Sequence, residues 1–133
     1  MEIKKQLINI AKQTGAINSK FGGKISKTSK SLKWKGILKP SPLGKEYLTE
    51  LRYSIGQAPK VFVLEPKLER KNGKLPHTYQ DGSLCLYLPV AREWHPGLLL
   101  ASTIIPWACE WLYHYEIWLL TGAWNGGGID HSK

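Results

Sequence analysis

Three short strand-like runs, residues 34–38, 47–55 and 60–64, constrain the fold most. The first is closed by the turn Pro40-Ser41-Pro42-Leu43-Gly44, and the third, Lys-Val-Phe-Val-Leu, is bracketed by Pro59 and Pro66. Within the second, Tyr47, Thr49, Leu51 and Tyr53 fall on one side of a period-two repeat, the pattern of a strand with one buried face. Short connections between such strands leave room for an antiparallel meander and for no parallel crossover.

Helical periods flank the meander. Ile3, Leu7, Ile10, Ala11 and Ile17 recur at helical spacing, with Lys4, Lys5, Lys12 and Gln13 on the other side, and Gly15 marks the expected end of this first helix. Residues 18–31, rich in Ser, Lys and Gly, read as a loop with room for a short extended piece. Residues 67–74 form a charged loop. The stretch 98–120 is apolar enough to raise the question of a membrane span, but Pro106, Glu110, His114 and Glu116 interrupt it, which predicts a buried helical hairpin or bent helix. Pro106 suits a first helical turn, where its missing N–H is not needed. Trp111, Tyr115 and Trp118, with Ala108, Leu112 and Leu119 offset, make a broad apolar face that Thr121-Gly122 ends. The expectation is an α+β chain forming one domain over 1–133, with 125–133 as a Gly-rich flexible tail.

The charge is uneven. Residues 1–74 hold 17 Lys and Arg against 5 acidic residues, whereas 75–133 hold 2 against 5. Such a surplus argues for an acidic partner on the N-terminal half, be it nucleic acid, membrane surface or protein. Nucleic acid is disfavoured by the few arginines and the lack of a recognisable binding signature. The N-terminus lacks a signal-peptide core, and two cysteines, Cys85 and Cys109, make no disulfide framework and no zinc spacing. A reducing cytoplasm fits these features, with no cofactor or metal expected.

Most of the chemistry lies in Pro76-His77-Thr78-Tyr79-Gln80-Asp81-Gly82-Ser83-Leu84-Cys85-Leu86-Tyr87. Cys85 follows an Asp-Gly turn in an alternating stretch, Leu84 to Leu88, whose leucines share one face and leave Cys85 and Tyr87 on the other. A thiol there is either a core filler or a nucleophile. His77 can serve it as base, as oxyanion donor or as loop organiser. Trp94-His95-Pro96 is expected to pack a turn on the core with His95 exposed. His114 reads as a partly buried structural histidine, His131 as part of the tail, and Cys109 as helix packing.

This segment resembles the active-site region of ubiquitin-conjugating enzymes. Their signature runs His-Pro-Asn, an aliphatic residue, often Tyr, Asn or Asp with Gly, then an aliphatic residue, the catalytic Cys and Leu, with Trp-x-Pro later. Pro76, Tyr79, Asp81-Gly82, Leu84-Cys85-Leu86 and Trp94-His95-Pro96 fall in matching places, while Leu75 stands for the family's His and His77 for its Asn. Together with Pro106-Trp107-Ala108-Cys109-Glu110-Trp111 and Thr121-Gly122-Ala123-Trp124, the chain is similar to the short stand-alone conjugating-enzyme-like proteins of bacterial antiphage (CBASS) operons. The resemblance implies an N-terminal helix, a strand meander, a cysteine-bearing segment and C-terminal helices. It also implies Cys85 as a thioester-forming acyl carrier and His77 as oxyanion donor or loop organiser. The implied partner is a cGAS-like nucleotidyltransferase, whose C-terminus is transferred to an amine; whether a separate activating enzyme loads the thiol is left open. Asp81, Glu93 and His95 are candidate bases for the amine. A non-catalytic adaptor of the same fold, binding an acidic protein, is the alternative. A Cys-His hydrolase is disfavoured by the lack of a third orienting residue.

Overall fold

The computed structural model describes residues 7–87 and 93–124. The chain runs through α1 (Ile10–Lys20), β1 (Lys24–Lys27), β2 (Ser31–Leu38), β3 (Tyr47–Ser54) and β4 (Lys60–Glu65). A 3₁₀ turn (Leu100–Ser102) and α2 (Ile104–Thr121) follow. The four strands form one antiparallel sheet in sequence order. The expected meander is there with one strand more than the three anticipated.

Alternation explains the sheet. In β2 and β3, Leu32, Trp34, Leu38, Tyr47, Thr49, Leu51 and Tyr53 are buried, and the register pairs Trp34 with Leu51 and Leu32 with Tyr53. Period-two burial then fixes the pairing, because a one-residue slip would expose every one of these side chains. β1 pairs with β2 from Lys24↔Lys35 to Lys27↔Leu32, yet it is almost wholly exposed. An edge strand of Lys-Ile-Ser-Lys carries no burial signal, so it reads as loop.

The two helices cover the inner face of the sheet together. Asn9 caps α1, its side chain accepting from the Lys12 amide at 2.8 Å. The helix does not stop at Gly15 but runs to Lys20, with Ile17 wholly buried in its last turns. An internal glycine costs about 1 kcal/mol, which burial of an isoleucine at roughly 2–3 kcal/mol outweighs. Leu7 precedes the helix and is largely exposed, whereas Ile3, Lys4 and Lys5 lie outside the described residues. Gln13, fully buried, donates to the Leu98 carbonyl and accepts from the Leu100 amide, both at 2.9 Å, and so pins α1 to the 3₁₀ turn.

The expected hairpin or bent helix over 98–120 is that turn followed by the single helix α2, with Pro106 in its first turn. Tyr115 of α2 meets Tyr47 edge-on with ring centres 6.3 Å apart, and Glu116 accepts from the Tyr47 hydroxyl at 2.8 Å and the Lys45 amide at 3.0 Å. α2 ends at Gly122 in a left-handed conformation (φ 76°), as the sequence indicates. Lys71, from the charged loop, donates to the last carbonyls, Trp118 at 2.8 Å and Leu119 at 3.2 Å. Among the described residues no helix is long and apolar enough to cross a membrane.

Candidate active site

The cysteine segment is not the alternating strand that its leucines suggest. Its regular pairing is a single bridge, Thr78↔Leu84. The Leu84 amide donates to the Val61 carbonyl of β4, and the Cys85 amide donates to the His77 carbonyl, both at 2.9 Å. Backbone groups satisfied alternately by β4 and by the preceding loop leave no continuous ladder, so the period-two rule fails. Leu84 and Cys85 are both buried, Leu86 and Tyr87 half-buried, and Leu88 lies outside the described residues. Cys85 is only 8% exposed, where the alternation had it turned outward.

The loop that presents the thiol is built around two backbone features. Gly82 adopts φ 90°, a left-handed conformation open to glycine, and completes the turn in which the Gly82 amide donates to Tyr79. Asp81 stabilises that turn. Its Oδ1 accepts from the Ser83 amide (2.9 Å) and the Ser83 hydroxyl (2.6 Å), and its Oδ2 receives the Lys60 ammonium at 2.7 Å. The Lys60 and Ser83 contacts hold its carboxyl down at about 2. A carboxylate so engaged is a poor base for an incoming amine.

His77 has a left-handed backbone (φ 55°) and a buried side chain. Its carbonyl takes two hydrogen bonds, from the Cys85 amide and from the Trp111 indole at 3.0 Å. Its ring packs against Trp124, with centres 4.9 Å apart. Trp124 itself rests on Trp111 at 5.1 Å. His77 is thus joined to Cys85 through the main chain and to α2 through aromatic packing. Leu75, at the family's His position, is a buried core residue.

The thiol touches two tyrosines. Cys85 Sγ lies 3.6 Å from the Tyr79 hydroxyl and 3.9 Å from the Tyr87 carbonyl, both within sulfur hydrogen-bond range. Burial first, and then the contact with Cys85, push the Tyr79 phenol well above its ordinary range, so it stays protonated. Both tyrosines also line a groove of about 600 Å³, whose opposite wall is Ala58, Pro59 and Lys60 at the start of β4. Leu84 and Leu86 contribute to its apolar lining, whereas Cys85 does not line it directly. The sequence marked Tyr79 as a motif match but gave no hint of the 58–60 wall, beyond the proline before a strand.

The remaining candidates do not line this groove. Glu93 is exposed, and Trp94 is buried, its ring edge-on to Tyr53 and its indole donating to the Thr103 hydroxyl at 3.1 Å. His95, expected to be exposed, is half-buried because its Nδ1 accepts from the Gly97 amide and closes the turn. His114 is half-buried, 3.7 Å from Glu110, in keeping with a structural role. Cys109 packs along α2 with its thiol toward the Lys39 carbonyl, and burial pushes its thiol up. His131 and the expected tail 125–133 fall outside the described residues.

The family model described as type II CBASS E2 protein matches residues 13–132. The chain belongs to that family. No curated protein matches it. As a CBASS E2 protein it is a conjugating-enzyme-like member of an antiphage system and works with other CBASS proteins. The match spans α1 from Gln13 onward, the whole sheet, the Cys85 loop and α2, so every residue of the candidate site lies within the family's extent.

Proposed function

We propose that this CBASS E2 protein carries the C-terminal carboxyl of a partner protein as a thioester on Cys85 and passes it to an amine. One observation carries the reading: a thiol held between Tyr79 and Tyr87 at the edge of a groove that both tyrosines line. The Cys85 sulfur attacks the activated carbonyl and expels the activating group. The amine then attacks the thioester, forms the amide and releases the thiol. Thioester exchange needs no strong base, because a thiol is intrinsically nucleophilic and leaves readily.

The groove adjoins the sulfur through Tyr79, which lines it and whose hydroxyl lies 3.6 Å from Cys85 Sγ. His77 organises the loop: its carbonyl fixes the Cys85 amide, and the Trp124 contact fixes its ring. That arrangement supports the organising role more directly than oxyanion donation. The partner whose C-terminus is carried is a cGAS-like nucleotidyltransferase, loaded by an activating enzyme in the cytoplasm. The domain implied is a single ubiquitin-conjugating-like one, as the helix–sheet–helix order supports.

The low exposure of Cys85 favours a second reading, an adaptor that keeps the fold and has no chemistry. Purification with the partner and activating enzyme under non-reducing conditions separates the two. Acyl transfer gives an adduct on Cys85 that thiol reductant removes, Cys85→Ala abolishes and Cys85→Ser converts to a reductant-resistant ester. An adaptor gives unchanged partner binding and antiphage protection with Cys85→Ala, and no adduct.

A further inference from the structure

The outer face of the sheet is covered by no described element, and its charges are arranged at a cost. Lys33, Lys35 and Ile37 of β2 alternate outward, opposite Arg52, Glu50 and Leu48 of β3. Lys24 sits directly across from Lys35, Lys33 directly across from Arg52, and Arg52 directly across from Lys60. Like charges placed opposite one another destabilise a sheet.

Two carboxylates mitigate this: Asp81 holds Lys60 at 2.7 Å, and Glu50 holds the neighbouring cations. Glu50 is 4% exposed although it lies on the open face, gripped by Arg52 and, at 3.5 Å, by Lys35. Arg52 also lies over the Phe62 ring at 4.3 Å. Arg52 and Lys35 are therefore held by Glu50, which also feels the Lys33 charge; Lys24 and Lys33 form no ion pair within 4 Å among the described residues. Ile37 is 55% exposed beside them, with Leu48 and Phe62 half-buried.

We propose that this outer face is a docking surface for an acidic protein segment that carries apolar side chains. Incoming carboxylates relieve the Lys24–Lys35 and Lys33–Arg52 repulsion, and an aliphatic side chain covers Ile37. Nucleic acid fits less well. Trp34, the aromatic residue interleaved among these lysines, is buried on the opposite face, and Phe62 is already capped by Arg52, so bases find no stacking platform. The face meets the Cys85 loop at Lys60, which pairs with Asp81.

The test is ¹⁵N NMR titration of the full chain with a short Glu-rich peptide bearing central leucines. Shifts confined to the outward residues of β1–β3 support the proposal, as does an affinity loss of about tenfold in Lys24→Gln/Lys33→Gln. The control Lys12→Gln/Lys20→Gln, equal in charge change but on α1, loses less than about twofold. Thermal melts confirm folding, and Lys33→Gln melts higher than the parent. Equal losses in the two double variants, shifts spread over all lysines, or undiminished binding when serines replace the leucines would each overturn it. So would tighter binding of an oligothymidylate of matched charge, or of phosphatidylserine vesicles.

Discussion

The Cys85 amide donates to the His77 carbonyl at 2.9 Å, so the two residues singled out for chemistry are tied by main chain. His77→Ala keeps that bond but removes the ring from Trp124. If His77 organises the loop, His77→Ala lowers adduct formation and stability together. An oxyanion role instead depresses transfer by more than the loss of folded protein accounts for. Loss of a buried ring costs about 2–3 kcal/mol, read by denaturant unfolding.

Tyr79→Phe removes the hydroxyl 3.6 Å from the Cys85 sulfur. A phenol that stays protonated can donate to the thiolate, so its loss disfavours ionisation. Iodoacetamide alkylation of Cys85 then slows by roughly three- to tenfold at neutral pH, and its midpoint moves to higher pH. Cys109, pushed up by burial, reacts slowly in both proteins.

Asp81→Asn tests the turn by its pH dependence. The folded carboxyl sits at about 2, below its ordinary 3.8, so the stabilisation is present above the ordinary value and fades as pH falls from there toward 2. The Asp81 side chain is 39% exposed, and solvent screening limits the effect to about 1 kcal/mol. The gap between parent and variant melting temperatures should be full at neutral pH and close in strong acid.

Gln13→Ala strips hydrogen bonds from the Leu98 carbonyl and the Leu100 amide inside the core. Two stranded backbone groups cost about 2–4 kcal/mol, measurable by urea unfolding. The sequence places Gln13 on the polar side of the first helix, so a solvent-facing glutamine would predict almost no change.

A methyl group on Gly36 would run into the Trp34 ring. Gly36→Ala therefore overpacks the sheet and destabilises by about 1–3 kcal/mol in thermal unfolding, although alanine suits strands better than glycine.

Period-two burial made β3 legible residue by residue, because one face of it meets the helices and the other does not. β1 was legible only as a short extended piece somewhere in 18–31, since no residue on it is fully buried and its pairing is set by β2. The Leu84–Cys85–Leu86 alternation misled because the partners of that segment come from Val61 and His77 rather than from one neighbouring strand. Motif spacing located the thiol, but not its setting. Tyr79 reaches the sulfur through the Gly82 turn, and the groove borrows its far wall from residues 58–60, a fold-level meeting that local pattern does not encode.

Withdrawing a sulfur behind two tyrosines has a kinetic corollary. Few solvent molecules can line up on a carbonyl held there, so a cargo lodged on it would drain away slowly. On the proposed thioester route the same low exposure would slow loading as well, so arrival and loss would both depend on the phenol beside the sulfur.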